Sequence, residues 1–497
     1  MKPIARMILT SVLALSSLAL PPLVQAEDKS LNFLHIIIDD LRSEGLSLYG
    51  DEDVIIAPNM ERLAGEGVLF ERAYANFPSC GASRASLFTG LRPTVDRFTS
   101  YDARLDKEAP GVITLPGYLK DNGYFTMSLG KVIHARGDTD HAWSAPPWDA
   151  KYQGGSSSTY MDFQNPDNVK AYKTSCKKRN VCSPTGSGKG PTYEIEDLPD
   201  QAYFDGKTAI AAIAALRELK SSGSPFYLAV GFVKPHLPFT PPKKYWDMYD
   251  RDEIQMSPAP GKPEGAPRQA WHGSGELREW YDGVPDTPPP WVQNVPDDLS
   301  RILRHGYYAS TTYADAQVGK LLDAVESLGL EDNTVIILTS DHGWSLGDHT
   351  LWNKHSLFNL ATQSPLIVRA PGMAADERVS GLVEYVDIYP TVLELAGLPK
   401  PGHLQGKSFA KSLRNPKAAT KPAVFVRYKD GENIHTRRFS YTAWFNKGRL
   451  TGQMLYDLKK DPLETVNLAD RPGYKNALSR LKAELMQHID EREASVK

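Results

Sequence analysis

The chain has 497 residues, 41% hydrophobic and 24% charged, with a formal net charge of −3. That length exceeds one small domain and the apolar content supplies a core, so the class is globular. A slightly acidic balance excludes the basic face of a nucleic-acid binder, so an anionic substrate has to be met by a local cluster of cations.

Lys2 and Arg6 precede an apolar run over residues 7–20, and Val24-Gln25-Ala26 makes a small-residue cleavage site, so residues 1–26 read as a signal peptide. The protein is then exported, periplasmic or secreted. The apolar run is shorter than the roughly 20 residues of a spanning helix, and no stable membrane span is expected. Residues 31–38 form an isoleucine-rich run, a buried strand ending in Asp39-Asp40. Residues 58–67 read as a helix begun by Pro58 and stopped by Gly67, and 68–74 as a strand leading to Cys80. Helix 114–121 and strand 124–129 lead to Lys131 and His134. Helix 205–221 and strand 225–232 lead to His236; helix 307–328 and strand 334–339 lead to Asp341-His342. Residues 135–200 and 251–298 lack periodicity and carry Trp143, Trp148, Trp271, Trp280 and Trp291; loops of that length are commonly functional, and they read as walls of a substrate cleft. Residues 383–395 read as helix, 422–428 as strand, 434–445 and 454–458 as antiparallel strands, and 474–491 as a charged terminal helix.

Helices alternating with apolar strands predict an α/β fold, a large mostly parallel sheet sandwiched by helices. The tail adds a small antiparallel-sheet-plus-helix subdomain. The expected division is signal peptide 1–26, catalytic domain 27–430 and C-terminal subdomain 431–497. Ligands of such sheets sit beyond the carboxyl ends of the strands. Asp39, Lys131, His236 and Asp341 all fall just past a strand, which predicts one pocket. Adjacent carboxylates at a buried strand end repel unless a cation neutralises them, and oxygen donors favour Ca2+ or Mg2+. For a bare Asp-Asp pair an exposed turn is the commoner case, and an isolated cysteine is as often a packing residue.

The stretch Cys80-Gly81-Ala82-Ser83-Arg84-Ala85-Ser86-Leu87-Phe88-Thr89-Gly90 resembles the signature of type I sulfatases, with Cys80, Ala82, Arg84, Leu87, Thr89 and Gly90 matching. The run from Ser340 to His349 with Trp352 and Lys354, Gly130-Lys131-Val132-Ile133-His134, and Lys234-Pro235-His236-Leu237-Pro238-Phe239 resemble the iduronate-2-sulfatase branch in particular. The resemblance implies an alkaline-phosphatase-like fold. It implies that a formylglycine-generating maturation enzyme oxidises Cys80, and that the aldehyde hydrate is the nucleophile. It further implies one Ca2+ shared by Asp39, Asp40, Asp341, His342 and the modified Cys80. Lys131 and Lys354 would hold sulfate oxygens, His134 would accept the hydrate's proton, and His236 would be general acid to the leaving oxygen. Arg84 and the positive end of a helix starting at Cys80 would face the same anion. Ala82 stands where many sulfatases have Pro, and His342 where a neutral oxygen ligand is common. With Cys80 spent on maturation, Cys176 and Cys182 are left for a disulfide, with zinc binding as the alternative.

The expectation is an exported, calcium-dependent sulfatase acting on a sulfated oligosaccharide or polysaccharide, a 2-O-sulfated uronate or an algal-type sugar. The alternatives are a phosphomonoester or phosphonate hydrolase on the same scaffold, and an unmatured protein that binds sulfated glycan through Ca2+.

Overall fold

The computed structural model describes residues 30–50, 55–135, 137–150, 162–178, 189–286 and 288–494. The signal-peptide reading and Cys182 lie outside these residues. The central sheet is built from β1 (Asn32–Ile38), β2 (Val68–Tyr74), β3 (Phe125–Gly130), β4 (Phe226–Phe232), β5 (Thr334–Ser340), β6 (Leu366–Arg369) and β7 (Glu377–Glu384). Its spatial order is β7-β2-β6-β5-β1-β4-β3. β6 runs antiparallel to β2 and β5, and the other pairs are parallel.

Among the described residues the longer helices are α1 (Pro58–Gly65), α2 (Cys80–Thr89), α3 (Leu115–Asp121), α4 (Pro166–Lys178), α5 (Phe204–Ser222), α6 (Gly275–Trp280), α7 (Asp297–Ser327), α8 (Ile388–Leu395) and α9 (Lys475–Ala494). Side chains alternate across a strand, and β1 sorts its residues accordingly. Leu34, Ile36 and Ile38 enter the core against α1, α5 and α7. Phe33 and Ile37 enter the opposite core against α2, α3 and α8. All five are fully buried, each contributing roughly 1.5–3 kcal/mol relative to exposure. With both faces covered, the loops at the carboxyl ends are left to form the site.

Four differences from the sequence reading have local causes. Residues 135–200 contain α4, whose Val169, Tyr172 and Cys176 recur at helical spacing among lysines and turn inward. α7 begins ten residues before the expected 307, because Asp297 and Asp298 follow Pro296 and favour the helix's positive end. Residues 383–384 close β7 instead of opening a helix; α8 starts only at Ile388, after Glu384 and Asp387 form a reciprocal cap. The expected single strand over 434–445 is a hairpin of two.

The C-terminal sheet joins β8 (Ala423–Tyr428), β9 (Gly431–Thr436), β10 (Phe439–Asn446) and β11 (Arg449–Asp457) in consecutive antiparallel order. Its first strand precedes the division drawn at residue 430. α9 covers one face through Leu481 and Leu485. The other face packs Val424, Val426, Trp444, Met454 and Tyr456 on Tyr74, Trp271, Leu351, Leu357 and Phe358. Beneath this seam Glu384 accepts from Arg92 and Lys421, all buried or nearly so, which fixes the small sheet beside the large one.

Candidate active site

Neighbouring strands β3, β4, β1 and β5 deliver Lys131, His236, Asp39-Asp40 and Asp341-His342 to one place. In an extended strand successive side chains diverge. Asp40 takes left-handed backbone (φ 62°), a conformation Asp tolerates better than most residues. Oxygens of Asp39 and Asp40 and a nitrogen of His236 thereby lie within 4.8 Å of one another. Glycines make the approach of the loops possible. A Cβ on Gly231 would stand 1.9 Å from the carbonyl oxygen of Lys131, and one on Gly81 would stand 2.0 Å from that of Tyr101.

Cys80 is the first residue of α2 and is 2% exposed. Its Sγ lies 3.3 Å from His342 Nε2 and 3.9 Å from Asp40 Oδ1. One ligand atom from each of Asp40, Cys80, Asp341 and His342 falls within a 4.8 Å group. His342 Nδ1 donates to the carbonyl of Gly343 at 2.9 Å, which turns Nε2 toward the carboxylates. Nε2 lies 3.5 Å from Asp40 Oδ1 and 3.7 Å from Asp341 Oδ1. Two carboxylates, an imidazole and a sulfur converging in a buried space make a donor set for a divalent cation, and the two carboxylate oxygens suit a hard one. The residues present therefore fit the implied cation.

Burial, opposed by Lys354 and reinforced by Asp39, pushes Asp40 up to about 7. Burial acts on Asp341 in the same direction, but His342 and Arg84 outweigh it and hold the group well below the usual carboxylate range. Burial, then Asp39, drives the Cys80 thiol well above its ordinary value, so the unmodified thiol is a poor nucleophile here.

Three cations balance the carboxylates. Arg84 donates from Nη2 to Asp39 Oδ1 at 2.9 Å, from Nε to Asp341 Oδ2 at 3.0 Å and from Nη1 to the carbonyl of Val132 at 2.9 Å. Its guanidinium thus ties two strand ends together from beneath, in place of the sulfate-facing fork expected of it. Lys131 pairs with Asp39. Lys354, after a short hairpin, donates to both oxygens of Asp40 at 2.9 Å and lies 5.0 Å from the ring centroid of Trp344. His236 is buried, with Nδ1 donating to the carbonyl of Leu237 at 2.6 Å. His134 is half-buried, its ring 6.1 Å from that of Tyr101, which is 50% exposed. Burial, then the charge of Lys131, holds His134 well below its usual value.

Glu276, from α6, has no sequence signal of its own; it enters from the aperiodic stretch 251–298. It accepts from His236 Nε2 at 2.9 Å and from Lys354 Nζ at 3.1 Å. The tryptophans of the long loops divide. Trp143 is core, stacked on Tyr227, and Trp271 is buried and donates to the carbonyl of His349. Trp280 lies 6.5 Å from the ring of Tyr101, whose other neighbour is His134 at 6.1 Å.

A buried carboxylate, imidazole and sulfur cluster at the carboxyl ends of a parallel sheet, with lysines beside it, defines a hydrolase centre for an anionic ester. The chain belongs to the sulfatase family: the model described as "Sulfatase" matches residues 31–398, and "N-sulphoglucosamine sulphohydrolase, C-terminal" matches residues 347–491. It is a sulfuric ester hydrolase. It is 35% identical over 417 residues to iduronate 2-sulfatase of Mus musculus, covering 76% of this chain and 71% of that protein. With iduronate 2-sulfatase of Homo sapiens it shares 32% over 525 residues, 88% and 91% of the two chains. A solved structure in complex with D-glucosamine-2-N,6-O-disulfate has the same fold, with a TM-score of 0.72 at 21% identity over 94% of this chain and 98% of the other.

Proposed function

We propose that this chain is an exported, calcium-dependent sulfatase that removes a sulfate ester from a sulfated glycan, with Cys80 converted to formylglycine by a maturation enzyme. The observation that carries the reading is the closed group of Asp40, Asp341 and His342 around Cys80 Sγ. The relatives named iduronate 2-sulfatase direct it to a 2-O-sulfated uronate, ahead of an algal-type sugar.

When present, the hydrate from Cys80 supplies an oxygen nucleophile, and the cation held by Asp39, Asp40, Asp341 and His342 supplies Lewis acidity toward the sulfate. The chain's own groups do the rest. Lys131 and Lys354 neutralise sulfate oxygens, exchanging part of their bonds to Asp39 and Asp40. His134, held neutral, accepts a proton from the nucleophile. His236 gives one to the departing sugar oxygen. Arg84 keeps Asp39 and Asp341 at fixed separation throughout.

A panel of defined sulfated oligosaccharides tests the reading. Sulfate release is expected from a 2-O-sulfated uronate at a chain end. Turnover of phosphonate or phosphate esters alone, or binding of the glycans with no release from matured protein, would sink it. Export carries one further expectation. Cys176 is buried on α4, and in exported protein it should be disulfide-bonded to Cys182. Thiol labelling of denatured, unreduced protein should miss both residues; labelling of both would count against the pairing.

A further inference from the structure

We propose that Glu276 is a positioning residue of this centre, fixing the ring of His236 with its Nε2 at the edge of the carboxylate pair. This rests on the reading of His236 as the group that protonates the departing oxygen.

The geometry is specific. One carboxylate oxygen, Oε1, accepts from both His236 Nε2 at 2.9 Å and Lys354 Nζ at 3.1 Å. The other nitrogen of His236 faces the carbonyl of Leu237 at 2.6 Å. A carbonyl and a carboxylate only accept. Nδ1 therefore carries hydrogen, Nε2 donates to Glu276 whenever the ring is protonated, and the ring cannot turn without leaving an acceptor bare. The same Nε2 lies 3.7 Å from Asp40 Oδ2, so this nitrogen stands at the edge of the carboxylate pair. Asp40, Lys354, Glu276 and His236 form one continuous chain of contacts.

Glu276 is 7% exposed, and its Oε2 is buried without a hydrogen-bond partner among the described residues. A half-satisfied buried carboxylate is unfavourable for folding. Apolar packing would serve stability better there, which marks Glu276 as held for its charge.

Replacing Glu276 by Gln keeps the volume and removes the charge. On a sugar sulfate kcat should fall about 10–100-fold, the scale of losing a supporting partner, with KM nearly unchanged. On an activated aryl sulfate, whose phenolate leaves unprotonated, kcat should fall less than about threefold. Bound metal should match wild type, and Glu276→Asp should recover part of the loss. If Glu276→Gln does not fold, Glu276→Asp carries the same comparison. Equal losses on both substrates, or loss of metal, would overturn the proposal. His236→Ala serves as the reference, expected to lose about 10²–10⁴-fold on the sugar sulfate and far less on the aryl sulfate. If His236→Ala loses equally on both, the role of His236 fails and this proposal with it. If His236→Ala shows the split and Glu276→Gln does not, Glu276 alone is overturned.

Discussion

Replacing Cys80 by Ala should lower turnover on the order of 10⁴–10⁶-fold, the scale of removing a covalent nucleophile, while the fold persists. Persistence is expected because Sγ makes only long contacts, 3.3 Å to His342 Nε2 and 3.9 Å to Asp40 Oδ1. Deleting one sulfur there should cost about 1 kcal/mol, an ordinary single-residue effect. The loss follows from the chemistry of the site. Burial and Asp39 push the thiol well above its ordinary value, so a thiolate is disfavoured where the nucleophile must stand. Oxidation to an aldehyde removes that handicap, since a hydrate attacks through oxygen. Active protein should therefore yield a Cys80 peptide lighter by the difference between a thiol and an aldehyde. An active sample containing only the thiol would falsify the assignment. Because Cys80 is 2% exposed, the maturation enzyme should convert the nascent chain and leave purified, folded thiol protein unchanged.

Removing the charge of Asp341 should abolish bound calcium and activity together. Its Oδ1 accepts from the backbone N–H groups of Asp40 and His342, both at 3.1 Å, and its Oδ2 pairs with Arg84 at 3.0 Å. Alanine would strip all of these at once, and an uncompensated buried charge costs about 3–5 kcal/mol. Asn is the better replacement, because its oxygen can still accept from the N–H groups. Turnover should fall by about 10³-fold or more, the several kcal/mol that a Lewis acid contributes. A second readout needs no substrate. Calcium bound only by the native state raises the melting temperature of the wild type, and Asp341→Asn should melt alike with and without it. Metal analysis decides the ion. Tightly bound zinc in place of calcium, or full activity after exhaustive chelation, contradicts the site as drawn.

The sequence by itself determined the parallel core and most of the cluster. Asp39, Lys131, His236 and Asp341 were legible because each follows a short apolar run, and a buried strand of a parallel sheet delivers its next residue to the common edge. The eleven residues from Cys80 carried the chemistry for the same local reason: nucleophile, turn and helix start are contiguous in sequence. Tertiary structure alone decided the rest. β6 lies between β2 and β5 and runs against both, yet its four residues are too short and too evenly apolar to show alternation. The guanidinium of Arg84 faces inward because two carboxylates from distant strand ends capture it. Glu276 reaches His236 and Lys354 from an aperiodic stretch 40 and 78 residues away. Periodicity reports which face of an element is buried. It does not report which charges meet across hundreds of residues, since that depends on how the loops close over the sheet.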